Sequence, residues 1–135
     1  MARKPLKPIW TTDPAEHDFV AARTYLSLLV SVGVADAAVE RLRTAPVSTL
    51  QPKDVLRASR LPRLPNDDAD VASDLKKMKH GEQLSPVLLV RGDWNNRVRP
   101  LEIADGYHRV CASLAVDENI EVPICSQLLS RPDRK

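Results

Sequence analysis

From Phe19 onward the apolar residues fall every three or four positions: Phe19, Ala22, Leu26 and Leu29 lie on one stripe. Such spacing is that of a helix with one buried face. The local chemistry predicts its start at Asp13 as N-cap, with Pro14 in the first helical position and Glu16 completing a capping box. Gly33 is the expected stop. Ala35, Ala38, Val39 and Leu42 predict a second helix over 35–44, followed by Pro46. The run PKDVLRAS predicts a third, with Pro52 near its start and Pro62 beyond its end. A seam of prolines and polar residues follows, RLPRLPNDDAD. There Asn66 or Asp67 is placed to cap a fourth helix, striped by Val71, Leu75 and Met78 and ended by Gly81.

The period then shortens. SPVLLVRG is a continuous apolar run, the mark of a buried strand, and LEIAD alternates with Leu101 and Ile103 inward. With turn-forming GDWNNRVRP between them, the two read as neighbouring strands of a hairpin with a long loop. A helix over 106–116 follows, then the DEN loop and a strand at EVPICSQL. The expected organisation is a flexible basic arm (1–12), a helical extension (13–63), an α/β (α+β) unit with a small mixed sheet (64–129) and a polar tail (130–135). There is no internal repeat.

Composition narrows the class. A chain of 135 residues, 43% hydrophobic and 28% charged, has the balance of one globular domain. Aromatics are 4%, so the core must be built of Leu, Val, Ile and Ala. Twenty Lys and Arg against 18 Asp and Glu give +2, too mild to imply a nucleic-acid partner by itself. Local clusters exist all the same: Lys76, Lys77, Lys79 and His80 at the end of the fourth helix, and Arg41, Arg43, Lys53, Arg57, Arg60 and Arg63 before it. Cations at a helix C-terminus are ordinary solvated chemistry. If both clusters share a face they would track phosphates, with Trp94 free to stack on a base. Cys111 and Cys125 belong to no CxxC pair and read as reduced, buried thiols. No apolar run reaches membrane-spanning length and no signal-peptide centre is visible, so a cytoplasmic protein without membrane contact is expected. His17, His80 and His108 show no paired metal-ligand spacing.

The most informative stretch is LEIADGYHRVCASL, residues 101–114, where a strand turns into a helix. Gly106 allows a tight turn and close approach of a ligand. The first turn of the helix offers backbone N–H groups without intrahelical partners and the positive end of the dipole, together an anion site. Arg109 is suited to clamp phosphate oxygens and His108 to donate a hydrogen bond or move a proton. Asp105 can cap the helix, hold magnesium or accept a proton from a substrate hydroxyl. The plainer account makes Asp105 a cap and leaves His108 and Arg109 solvated. Tyr107, Val110, Cys111 and Leu114 share one helical face, which places Tyr107 and Cys111 toward the core.

GEQLSPVLLVRG, then LEIADGYHRVCASLAV, then EVPI resembles the ParB/sulfiredoxin family over about residues 64–125, with Gly106 to Arg109 as its Gly-x-x-Arg signature. The resemblance implies a nucleoside triphosphate, ATP or CTP with magnesium, held by Gly106, Tyr107, His108 and Arg109. Sulfiredoxins carry a cysteine directly after the glycine; Tyr107 stands there, so sulfiredoxin chemistry is not expected. ParB partition proteins carry Gly-Glu-Arg-Arg and a following helix-turn-helix, for which this chain ends too soon. The Asp-Gly-x-His-Arg form is most similar to ParB-like free-serine kinases. That implies Asp105 aiding a substrate hydroxyl or metal, and His108 and Arg109 holding phosphates. Those kinases also use an upstream glutamate, for which the pattern shows no counterpart. The expected function is nucleotide binding with phosphate transfer or hydrolysis. The alternatives are a nuclease-like nucleic-acid binder using Lys76, Lys77 and Lys79, and an interaction module that holds a partner or a second copy through the N-terminal helices.

Overall fold

The computed structural model describes residues 7–92 and 101–128. Its centre is a sheet of four strands: β2 (Ser48–Leu50), β4 (Val87–Arg91), β5 (Leu101–Asp105) and β6 (Val122–Leu128), in the order β2-β6-β4-β5. Strand β4 runs antiparallel to β5 and parallel to β6, and β2 runs antiparallel to β6, so the sheet is mixed. A second, two-stranded parallel sheet pairs β1 (Ile9–Trp10) with β3 (Gln83–Leu84). Five helices complete the described residues: α1 (Glu16–Leu26), α2 (Val32–Thr44), α3 (Pro52–Ser59), α4 (Ala69–Lys79) and α5 (Tyr107–Val116).

The unbroken apolar run of β4 has a direct cause: both faces of the strand are covered. Val87 and Leu89 enter a core shared with Val55, Val71, Met78 and Val110 from α3, α4 and α5. Leu88 and Val90 enter a separate core with Phe19, Leu26, Val39 and Leu42 from α1 and α2. The same holds for β5. Leu101 and Ile103 face the first core as expected, but Glu102 and Ala104 are buried too, and the Tyr25 hydroxyl of α1 donates to Glu102 at 2.6 Å. The N-terminal helices therefore pack on the sheet and form one of its two covering layers.

Several boundaries differ from the sequence reading. Helix α1 begins at Glu16, with Ala15 at the N-cap, where the Asp18 carboxylate accepts from the Ala15 N–H at 2.8 Å. Asp13 and Pro14 thus lie before the helix. Gly33 does not end it: Ser31 caps α2 by accepting from the Val34 N–H, and Gly33 sits in the first turn of α2. The cap of α4 is Asp68, whose carboxylate accepts from the N–H groups of Asp70 and Val71, in place of Asn66 or Asp67. Helix α3 matches PKDVLRAS, with Pro52 in its first turn. Strands β1, β2 and β3 were not foreseen; two or three residues are too few to show a period. Residues 93–100, including Trp94 and most of the expected turn, and those from 129 onward lie outside the described residues. No helix among the described residues is long and apolar enough to cross a membrane.

Candidate functional site

The corner between β5 and α5 is set by one glycine. Gly106 is the N-cap of α5 at φ +109°, a conformation that side chains strain to adopt. A Cβ there would lie 2.9 Å from Val87 Cγ2 and 3.0 Å from Arg109 Nη2. Space above the glycine is thus filled by Val87 and Arg109, and the expected room for a ligand at that point is corrected to close internal packing. A glycine N-cap also brings no side chain to the first turn, and no side-chain cap is made.

Arg109 turns inward. Its Nη2 donates to Asp105 Oδ2 at 2.9 Å and to the Pro86 carbonyl at 3.3 Å, and its Nη1 lies 3.7 Å from Asp18 Oδ1. Asp18 was absent from the sequence-derived site, and it is 1% exposed. Burial works against its charge. Hydrogen bonds from Ser85, Asp105 and the Ala15 N–H, with Arg109 nearby, outweigh that and hold its carboxyl below the ordinary range. Asp105 goes the other way. Burial pushes its carboxyl up to about 6 against the pull of Arg109, and the hydrogen bond to Asp18 adds to the rise.

His108 stays at the surface. Its Nε2 is 3.4 Å from Asp70 Oδ2 and 4.0 Å from Asp68 Oδ2. One donor atom from each of the three lies within 4.8 Å of the others, close enough to converge on a divalent cation. Tyr107 packs against the core and donates its hydroxyl to the Pro62 carbonyl, so its ring is not offered to a ligand. Cys111 is fully buried, and burial pushes its thiol up.

A hollow of about 220 Å³ opens beside the corner, lined by Asp70, Asp74, Lys77, Asp105, His108 and Arg109 among others. A neighbouring hollow of about 210 Å³ shares Asp74, Lys77 and Arg109 and reaches Ser85 and His17. Lys77 Nζ lies 4.0 Å from Asp74 Oδ1, and burial pushes the Asp74 carboxyl up. Of the lysine cluster, Lys77 alone lines these hollows; Lys76 and Lys79 are exposed beside it in the last turn of α4. Three of the middle basic residues have side-chain partners. Arg43 pairs with Glu16 and Glu40 over the Phe19 ring, Arg57 with Asp54, and Lys53 donates to Asn119.

The structure thus brings Asp105, His108, Arg109 and Lys77 together and adds Asp18, Asp68, Asp70 and Asp74. The signal for Asp68 and Asp70 was present in NDDAD, where it reads as capping chemistry. Asp18 gives no signal in sequence, because only the packing of α1 on β5 brings it to the corner. Compared with family models, curated proteins and solved structures, the chain matches none.

Proposed function

We propose that the corner is a magnesium-dependent phosphate site for a nucleotide, ATP or CTP, in a fold of the ParB/sulfiredoxin type. The mixed lining of the hollow carries this reading: Lys77 and Arg109 border one small space together with Asp70, Asp74 and Asp105. A bare phosphate would meet the repulsion of the carboxylates, and a bare cation that of Lys77 and Arg109. A metal–phosphate complex satisfies both signs at once. Asp68, Asp70 and His108, whose donor atoms lie within 4.8 Å of one another, would hold the cation, and Asp105 is a further carboxylate within the same lining. The phosphate would meet Lys77, the outer edge of Arg109 and the uncapped first turn of α5. Asp105 would receive the proton of an acceptor hydroxyl if the phosphate is transferred. The upstream acid that the resemblance calls for has a spatial candidate in Asp18, although it is an aspartate.

Thermal unfolding against ATP and CTP, each with and without magnesium, tests the proposal. Lys77→Ala is the informative variant, because this lysine is half exposed while Arg109 is tied into the fold. A nucleotide at a hundredfold excess over its Kd stabilises by ~2.7 kcal/mol. The expected result is a magnesium-dependent rise in Tm with one nucleotide, lost in Lys77→Ala. No shift with either nucleotide, or an equal shift without magnesium, overturns it.

A further inference from the structure

The far end of α5 borders another hollow, of about 640 Å³. Its walls come from the chain at β1, from α4 and the residues before it, and from the turn between α5 and β6. Trp10, Leu75, Val116 and Ile120 make its apolar part; each is half-buried and packs on the margin of the core under α3, α4 and α5. Lys7, Asn66, Asp117 and Glu121 make its polar part, and all four are exposed. An apolar concavity with a few polar groups is the form of a small-molecule site, and such sites hold roughly 300–1,000 Å³. Ten residues of α5 separate its two ends by roughly 15 Å. The hollow shares no lining residue with the two at the Gly106 corner.

Charge selects the occupant. Among the described lining residues two carboxylates, Asp117 and Glu121, stand against the one ammonium of Lys7. The helix end adds to the negative side. The Asp117 N–H closes α5 on the Ser113 carbonyl at 3.0 Å, and the carbonyls beyond it have no intrahelical partner. No basic residue in the last turn of α5 offsets that end of its dipole. Trp10 brings an indole to the same lining, the ring that attracts a cation most strongly. An anion would meet the two carboxylates and the negative helix end together.

We propose that this hollow is a binding site, separate from the corner, for a small organic amine. Its protonated nitrogen is held by Asp117, Glu121 and the end of α5, and its apolar body lies against Trp10, Leu75, Val116 and Ile120. The site goes beyond the phosphate reading of the corner and stands whether or not a nucleotide binds there.

The test uses the full chain and two probes of matched size and opposite charge, phenethylamine and hydrocinnamate. Each is titrated into ¹⁵N-labelled protein at about pH 7, where an alkyl amine is protonated. The Trp10 indole N–H and the amides of Leu75, Val116 and Ile120 report on the hollow. Saturable shifts are expected with phenethylamine, in the millimolar range that so small a fragment reaches, and none with hydrocinnamate. Asp117→Asn combined with Glu121→Gln should weaken the amine about tenfold. Both positions are exposed, and Asp117→Asn keeps an oxygen for the Asn119 N–H that Asp117 accepts at 2.9 Å, so the fold survives. Equal shifts with the two probes, no saturable shift with either, or an unchanged affinity in the double variant overturns the proposal. Shifts of the same residues with protein concentration alone assign the hollow to a second copy and overturn it too.

Discussion

Arg109 is held by the buried carboxyl of Asp18 and the half-buried one of Asp105. Arg109→Ala leaves Asp18 and Asp105 without their counter-charge. The expected loss is about 3 kcal/mol, at the lower end for breaking a buried pair because Asp105 is only half-buried. Urea unfolding measures it. Gly106→Ala combines a strained φ with a Cβ pressed on Val87, and a loss of roughly 1–3 kcal/mol is expected in the same experiment. The pH dependence follows from the opposite shifts of the two acids. Asp105 has a folded pKa above its unfolded value, so its contribution is fully present at low pH and is lost as pH rises through about 6. Asp74 is raised and adds the same sign. Asp18 is lowered, so its contribution is present above the unfolded value and is lost as pH falls through its folded one. Scanning calorimetry should therefore show Tm rising from pH 7.5 toward about pH 5 and falling again in stronger acid, and Asp105→Asn should flatten the upper limb.

Among the elements, α4 joins stability to the site most directly. Asp68 caps it with a carboxylate that also borders His108. Asp68→Ala should lower stability by about 1 kcal/mol, as the loss of a cap does, measured by thermal unfolding. Most of the elements were legible in the sequence for a plain reason. Long stripes such as Ala35, Ala38, Val39 and Leu42, or the run VLLV, repeat enough times to identify their period. Helix ends were less legible, because several residues compete for each cap. Asp13, Ala15 and Asp18 all lie near the start of α1, and the hydrogen bond that the Ala15 N–H donates to the Asp18 carboxylate selects among them. Strand β2 was hidden altogether. Ser48–Leu50 is exposed along its length, and only its pairing with Val122–Ile124 makes it a strand.

At the scale of the whole molecule, one sheet serves two hydrophobic layers. Leu88, Val90, Ala104 and Cys125 depend on α1 and α2 for cover. A chain beginning at residue 64 would lose β2 and open that face of the sheet. Such a chain is expected to lack fixed near-ultraviolet circular dichroism and to bind an apolar dye, whereas the full chain should unfold in one transition. The candidate site shows the same dependence on assembly. Asp105 to Arg109 were visible as a local motif because strand, glycine and helix are contiguous. Asp18, Asp74 and Lys77 reach the corner only through tertiary packing, which no local spacing records.

The two cysteines mark those layers separately. Cys111 lies in the core under α3, α4 and α5, and Cys125 in the core under α1 and α2, both as free thiols. They are therefore built-in probes of opposite sides of the sheet. Under native conditions a thiol reagent should label each only as its own layer opens. Peptide mapping of the label over time would show whether the helical layers loosen together or one before the other. A nucleotide bound at the α5 corner should slow the Cys111 side first.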